Sequence, residues 1–309
     1  MSRAARAPVL ETLADDRRRG AAEIAARLLE WAARWSEGAA GSAADAGAGL
    51  AEVARAQAAL APVLRIANDL LVEIERHEGG EERAARRGVG AVAAAWEERL
   101  SQAAEMLEVH ARRSLQAASI VYTYSASSSV RSALLAHAEA GAWFQVVLSE
   151  SRPGGEGARM AVALAERGVP VRLGVDAWLW GAIEEEGLLL FGADALLPTA
   201  WVNKVGTGAL ADRGRAAGIP VIVCADTSKW LPPALAALPR VYDRDPEEIV
   251  FRAPAALEAI NVYFEDVPYT ALDKLVTERG VTRPQDLRMG DVPVARALVG
   301  EGGKVPPRS

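Results

Sequence analysis

Hydrophobic positions in the first 118 residues recur at the three- and four-residue spacing of amphipathic helices. The stretch A-E-I-A-A-R-L-L-E-W-A-A-R-W shows this spacing with strong helix formers and no proline. A Gly/Ala/Ser-rich interval over 37–49 predicts a loop, and further helices are predicted over 50–77 and from about residue 79 to 115. Residues 1–118 are therefore predicted to form a small antiparallel helical bundle.

From residue 119 the pattern changes to short apolar runs that alternate with helical stretches. The runs S-I-V-Y-T-Y, V-P-V-R-L-G-V, L-L-L-F and P-V-I-V-C-A, with a further run over 144–148, predict buried strands. This alternation predicts an α/β domain over 119–309, a Rossmann-like, mostly parallel sheet with helices on both faces. The segment over 261–281 is predicted to be extended and then helical, closing the sheet or packing against a partner subunit.

Polar residues follow the predicted strands, at the sheet edge where open parallel sheets bind ligands. They lie over 125–129, 150–157 and 226–229, and at Asp176 and Asp194. The densest group is in F-G-A-D-A-L-L-P-T-A-W-V-N-K-V-G-T, where Asn203 and Lys204 follow Asp194. A carboxylate, an amide and an ammonium suit a polyol phosphate, whereas a turn-capping aspartate beside a solvated lysine is the structural alternative. The convergence of polar strand ends favours the binding site.

Three other motifs allow both a functional and a structural interpretation. The serines after the first strand could cradle a phosphate or cap a helix. In E-S-R-P-G-G-E-G, a forked arginine donor stands beside a glutamate, which could also form a surface salt bridge. The arginine run in D-D-R-R-R-G-A-A is either a solvated basic patch or supplies one arginine to a pocket. The residues concerned are Ser125, Ser127, Ser128, Glu150, Arg152, Arg17, Arg18 and Arg19.

The composition argues against a nucleic-acid-binding protein, a membrane protein and a disulfide-bonded protein. The chain has 309 residues, a formal net charge of −6 and a pI of about 5.4, which gives no general attraction to nucleic acid or anionic membranes. No apolar run reaches membrane-spanning length and no apolar signal core opens the chain, so a cytoplasmic location is expected. The single Cys224 excludes an intramolecular disulfide. The histidines are expected at the surface, which argues against a zinc site or a serine–histidine triad, and we expect no metal or cofactor.

Taken together, these segments resemble the family of the alpha, beta and delta subunits of translation initiation factor 2B. That family also holds methylthioribose-1-phosphate isomerase and ribose-1,5-bisphosphate isomerase. The resemblance covers roughly 120–281 and rests on V-Y-T-Y-S-A-S-S-S-V, V-V-L-S-E-S-R-P-G-G-E-G, G-V-D-A-W, the segment around Asp194 and N-V-Y-F-E-D-V-P. A weaker similarity lies in R-G-A-A-E-I-A. The resemblance implies a sugar-phosphate ligand and a homodimer or larger homo-oligomer.

The resemblance also implies roles for individual residues. Asp194 takes the place of the isomerases' catalytic aspartate. The ligand-contacting positions fall on Asn203, Lys204, Arg152 and Arg19 with Gly20 and Ala21. The serine loop and the R-P loop add Ser127, Ser128 and Glu150 as candidate ligand contacts, on the chemistry of the loops themselves. The catalytic cysteine of the isomerases falls on Ser125. A serine hydroxyl is far less acidic than a thiol, and no histidine stands in these loops to activate it.

Three functions therefore stay open. The chain binds a phosphorylated pentose with weakened or lost isomerase chemistry, or it is an active aldose–ketose isomerase that uses Asp194. The third possibility is a regulatory or scaffold subunit that acts through protein contacts.

Overall fold

The computed structural model describes residues 8–116, 118–283, 286 and 292–299. The first five helices form the predicted bundle. They are α1 (Pro8–Ala14), α2 (Ala21–Ser36), α3 (Ala43–Ala56), α4 (Ala61–Arg76) and α5 (Glu82–Leu115). Their apolar faces meet in one core, in which Trp31, Trp35 and Trp96 are buried.

Two breaks in the helices of this half were not predicted. The first break lies between α1 and α2, where the Asp16 carboxylate accepts hydrogen bonds from the N–H groups of Arg18 and Arg19 at 3.0 and 3.1 Å. The second divides the predicted helix over 50–77, because Pro62 belongs to the first turn of α4 rather than to a helix interior. The predicted loop over 37–49 is also shorter, since Ser42 and Asp45 form a capping box that starts α3.

The second half has the predicted α/β architecture with a mostly parallel sheet. Its helices are α6 (Ser128–Glu139), α7 (Glu156–Ala165), α8 (Asp176–Ala182), α9 (Thr207–Ala216) and α10 (Pro233–Ala236). The strands of the main sheet are β1 (Ile120–Tyr122), β2 (Gln145–Ser149), β3 (Val171–Gly174), β4 (Leu188–Phe191), β7 (Val221–Cys224), β9 (Lys274–Thr277) and β10 (Gly280–Thr282). Their order is β10-β9-β7-β4-β1-β2-β3, and only β10 runs antiparallel to its neighbour.

A small antiparallel sheet, which the sequence pattern did not predict, lies beside the main one. Its strands are β5 (Ala195–Leu196), β6 (Ala200–Lys204) and β8 (Phe264–Pro268), in the order β5-β6-β8. Ala195 and Val202 pack into the core of the helical bundle, whereas Leu196 and Trp201 pack into the core of the α/β domain. The small sheet therefore joins the two halves of the molecule next to Asp194, the residue that precedes β5.

Two further elements connect the halves. Helix α5 packs in the bundle through its first half and covers one face of the main sheet through Leu107, Ala111 and Leu115. Residues 292–299 return to the bundle and form a strap along α4. The Asn68 side chain donates to the Pro293 carbonyl at 2.8 Å and accepts from the Ala295 N–H at 3.0 Å.

The expectation for 261–281 is wrong in its second part. This segment contains β8, one 3-10 turn (Tyr269–Ala271), β9 and the start of β10, and no α-helix. The run K-L-V-T becomes a strand because it pairs in parallel with β7, inside the main sheet. Such long-range pairing overrides local helix propensity.

Candidate functional site

Asp194 lies after β4, and its backbone is fixed from two sides. Its N–H donates to the Val202 carbonyl at 2.8 Å, and its carbonyl accepts from the N–H of Ala61, the first residue of α4, at 3.0 Å. Gly192 permits a close approach nearby, since a β-carbon there would lie 2.4 Å from Ser127 Oγ. The loop after β1 and the Asp194 segment therefore touch through this glycine.

The Asp194 carboxyl lies in an environment that opposes its ionisation. The residue keeps some accessible surface, yet burial among protein atoms raises its pKa to about 6. The positive charges of Lys229, Lys204 and Arg244 favour the carboxylate and limit the rise, while Glu156 adds to it. No hydrogen bond to this carboxyl comes from the described residues. Asp194 is thus able to hold or release a proton near neutral pH.

Lys204 is a buried cation near Asp194 and is only 3% exposed. Its Nζ lies 3.5 Å from Glu156 Oε2, a long ion pair, and 3.7 Å from the centre of the Tyr263 ring. Burial lowers the pKa of Lys204, and Glu156 is the main opposing influence. A desolvated lysine with one distant partner retains donors for an anionic ligand group.

Asn203 is the neighbour of Lys204 on β6, so the two side chains point to opposite faces of that strand. The Asn203 Nδ2 donates to Thr207 Oγ1 at 3.0 Å, and Thr207 Oγ1 in turn donates to the Lys204 carbonyl at 2.6 Å. In this structure the Asn203 amide group supports the turn that begins α9.

The loop after β1 is joined to the same region. The Tyr124 hydroxyl donates to the Val205 carbonyl at 2.9 Å, which connects this loop to the residue after Lys204. Ser125 is buried and adopts a left-handed backbone conformation with φ of 63°. Ser127 caps α6 by accepting from the Val130 N–H at 3.4 Å, and Ser128 is an exposed first-turn residue.

Histidine chemistry is absent from these loops. His77 is bound to Glu73 in the bundle at 3.1 Å. His137 is buried against Phe144, with ring centres 5.0 Å apart, so the expectation that all histidines lie at the surface is wrong for this residue. Among the residues that the structure describes, no cluster of His, Cys, Asp and Glu could hold a metal ion.

The loop after β2 is shaped by Asp176. One carboxylate oxygen of Asp176 accepts from the Ser151 N–H and the other from the Arg152 N–H, each at 2.8 Å. The Arg152 side chain is exposed, Glu150 is half-buried, and no ion pair joins the two in the described part of the chain. Arg152 and Glu150 are therefore available to a ligand, and Asp176 is occupied in holding their loop.

The early arginine segment is organised around Asp16. The Arg19 guanidinium donates to Asp16 Oδ2 and to Glu23 Oε1, both at 2.6 Å. Gly20 caps α2, and Ala21 is its first residue. Of the three arginines, Arg17 is the one whose positive charge acts on Arg244 and contributes to lowering the pKa of that residue, after burial.

The structure adds Lys229 and Arg244 to the predicted site. Lys229 follows β7 and is only 9% exposed, and its charge is the strongest influence that favours Asp194 ionisation. The sequence could have identified Lys229 as a site residue, because it belongs to the polar segment 226–229 at the predicted ligand-binding edge of the sheet. Arg244 lies 50 residues beyond Asp194 in a segment without periodicity, so no sequence pattern identified it.

Comparison with known proteins decides the family. The Initiation factor 2 subunit family matches residues 46–284, which is most of the chain. The chain belongs to this family. Among curated relatives, a ribose 1,5-bisphosphate isomerase of Haloferax volcanii is 32% identical over 66% of this chain and 63% of its own length. A putative methylthioribose-1-phosphate isomerase of Methanothermobacter thermautotrophicus is 30% identical over 45% of this chain and 47% of its own. The matches thus span about half to two thirds of the relatives.

The fold of this family member agrees with solved structures. A translation initiation factor eIF-2B from Pyrococcus horikoshii superposes with a TM-score of 0.75 at 23% identity, covering 91% of this chain and 98% of its own. A 5-methylthioribose 1-phosphate isomerase from the same organism gives 0.64 at 21%, covering 90% and 84%. The expected family and α/β fold are confirmed. None of the described helices is long and apolar enough to cross a membrane.

Proposed function

We propose that this family member binds a phosphorylated pentose, a ribose phosphate or nucleoside phosphate, beside Asp194 with weakened or lost isomerase chemistry. The observation that carries the proposal is the group formed by the Asp194 carboxyl and the cations Lys204, Lys229 and Arg244. The carboxyl has no hydrogen-bond donor in the described residues. It suits the hydroxyls of a sugar, and the cations suit its phosphate.

The weakened chemistry follows from Ser125. A hydroxyl needs a base to act as a nucleophile or proton donor at neutral pH. The nearby Tyr124 does not supply one, because burial raises its pKa and its hydroxyl already donates to Val205. Binding therefore has better support than turnover.

The second candidate is an active aldose–ketose isomerase. Two observations favour it: the pKa of about 6 for Asp194, which suits proton transfer near neutral pH, and the isomerase names of the curated relatives. Product formation from ribose 1,5-bisphosphate or methylthioribose 1-phosphate would establish this candidate.

The third candidate is a regulatory or scaffold subunit that acts through protein contacts. A cytoplasmic location is proposed for all three candidates, and the homodimer that the resemblance implies belongs with the first. Structural neighbours include a tetrameric eIF2B-beta2-delta2 complex from C. thermophilum. A stable heteromeric complex purified from the native cell would favour this candidate, whereas a homodimer that binds a phosphopentose would favour the first.

The deciding experiment is calorimetric titration with ribose 1,5-bisphosphate, methylthioribose 1-phosphate, ribose 5-phosphate and AMP. We expect at least one ligand to bind, and Asp194→Ala and Lys204→Ala to weaken it about tenfold or more, since each removes a charge-assisted contact of about 1.5–3 kcal/mol. The exposed Asp212→Ala and Lys274→Ala are the matched controls. Parent-like binding by both site variants would refute the proposal.

A further inference from the structure

The Tyr263 ring supports two cations of the site. Lys204 Nζ lies 3.7 Å from the ring centre, and the Arg244 guanidinium carbon lies 5.4 Å from it. Tyr263 is only 8% exposed. Its hydroxyl donates to Glu248 Oε2 at 2.8 Å, and its backbone N–H donates to the Tyr242 carbonyl at 2.8 Å. The ring is thus a fixed platform that brings Lys204 and Arg244 together.

Arg244 has few partners for a half-buried guanidinium. In the described part of the chain no carboxylate oxygen lies within 4 Å of it, and its Nε is buried without a hydrogen-bond partner. Within the described residues its one side-chain hydrogen bond runs from Nη1 to the Asp243 carbonyl at 3.2 Å. The charges that face it are the positive Arg17 and the negative Glu248 and Asp194. Most of its five donors are therefore unused.

An arginine with a purely structural role looks different in this protein. Arg86 also lies over an aromatic ring, that of Trp35, at 4.4 Å. It additionally donates to the Glu82 carboxylate at 2.9 Å and to the carbonyls of Ala39 and Gly41 at 3.1 and 2.8 Å. The Arg86 donors are used in hydrogen bonds to the protein, whereas most Arg244 donors have no protein partner among the described residues.

We propose that Arg244 is an additional ligand-binding residue, which contacts an anionic oxygen group of the phosphate class, and that Tyr263 positions it together with Lys204. This inference rests on the proposed function, because it assigns a further contact within the same site. The planar guanidinium fork matches the oxygens of a phosphate group, and a bound anion would also relieve the repulsion between Arg244 and Arg17.

The test is calorimetric titration with ribose 1,5-bisphosphate and ribose 5-phosphate. Arg244→Gln is expected to weaken binding about tenfold or more, and Arg244→Lys to recover part of the loss because it keeps the charge. Arg252→Gln is the matched control, since Arg252 is an exposed arginine over the Phe251 ring at 4.9 Å. Tyr263→Leu should weaken binding, while Tyr263→Phe, which keeps the ring, should stay within about threefold of the parent.

The failure of this inference can be told apart from the failure of the proposed function. If Arg244→Gln binds like the parent while Asp194→Ala binds poorly, this inference is wrong and the proposed function stands. If the parent binds neither probe, this inference is wrong, and the proposed function falls with it if methylthioribose 1-phosphate and AMP also fail to bind. If Asp194→Ala, Lys204→Ala and Arg244→Gln all bind like the parent, both proposals are wrong. A loss in Arg244→Gln that accompanies a lower melting temperature and is not recovered by Arg244→Lys would assign Arg244 a structural role and overturn the inference.

Discussion

Asp194→Asn is expected to stabilise the protein at neutral pH. Asparagine has nearly the same shape as aspartate and stays neutral at every pH, so it mimics the protonated carboxyl. The folded-state pKa of about 6 lies above the unfolded value of 3.8. Because the unfolded chain releases this proton more readily, the parent loses stability as pH rises from about 4 to about 6 and the loss is complete above the folded-state pKa.

The magnitude follows from the difference between the two pKa values. A rise of about two units corresponds to about 3 kcal/mol at pH 7, at about 1.4 kcal/mol per unit. At pH 5 the folded carboxyl is largely protonated, and the same linkage gives roughly half of that destabilisation. For a chain of this length, 3 kcal/mol raises the melting temperature by roughly 5 °C.

The assay is thermal unfolding of parent and variant at pH 5, 6, 7 and 8. The groups that act on Asp194 are Lys229, Lys204, Arg244 and Glu156, and all four are kept in the variant. Asp212→Asn, on the exposed surface of α9, is the control and should leave the melting temperature unchanged. A variant that is no more stable than the parent at pH 7, or whose advantage does not grow between pH 5 and pH 7, would refute the assignment of a desolvated carboxyl.

Two other predictions concern the strap and the serine. Asn68→Ala removes both side-chain hydrogen bonds to the strap over 292–299 and should lower the free energy of unfolding by about 2 kcal/mol, or the melting temperature by roughly 3 °C. The exposed control Gln102→Ala should leave the melting curve unchanged. An unchanged curve for Asn68→Ala would show that the strap adds no stability. Ser125→Cys places a far more acidic group in the loop after β1 and should increase ketose formation from ribose 1,5-bisphosphate above the parent level. A variant that binds the compound but forms no more product than the parent would contradict the role assigned to this position.

The sequence pattern predicted the elements whose residues form local runs. The strands before Ser125, Glu150 and Asp194 are short, buried and β-branched or leucine-rich, so their positions and the sheet edge they define are visible locally. The interruption at Asp16 was not predicted, because it depends on a side chain that captures two backbone N–H groups. Pro62 indicated the start of a new helix, but the apolar periodicity continues on both sides of it and led to the prediction of one helix over 50–77.

Parts of the site that depend on tertiary structure could not be predicted in this way. The small sheet forms because β6 pairs with β8, sixty residues further along the chain. This pairing places Phe264 opposite Lys204, which brings the neighbouring Tyr263 ring to the lysine and fixes Arg244 beside it. Asp194 and Lys204 were predicted from their own segment, whereas Arg244 required knowledge of which distant strands pair.

We propose that the chain binds a phosphopentose at Asp194 without efficient turnover. The most direct measurement is calorimetric titration of the parent with ribose 1,5-bisphosphate and assay of the same mixture for a ketose product. We expect heat of binding with little or no ketose, and loss of that heat in Asp194→Ala. Rapid ketose formation would contradict the loss of chemistry assigned to Ser125, and absence of binding to this compound and to the three other phosphorylated ligands would contradict the site itself.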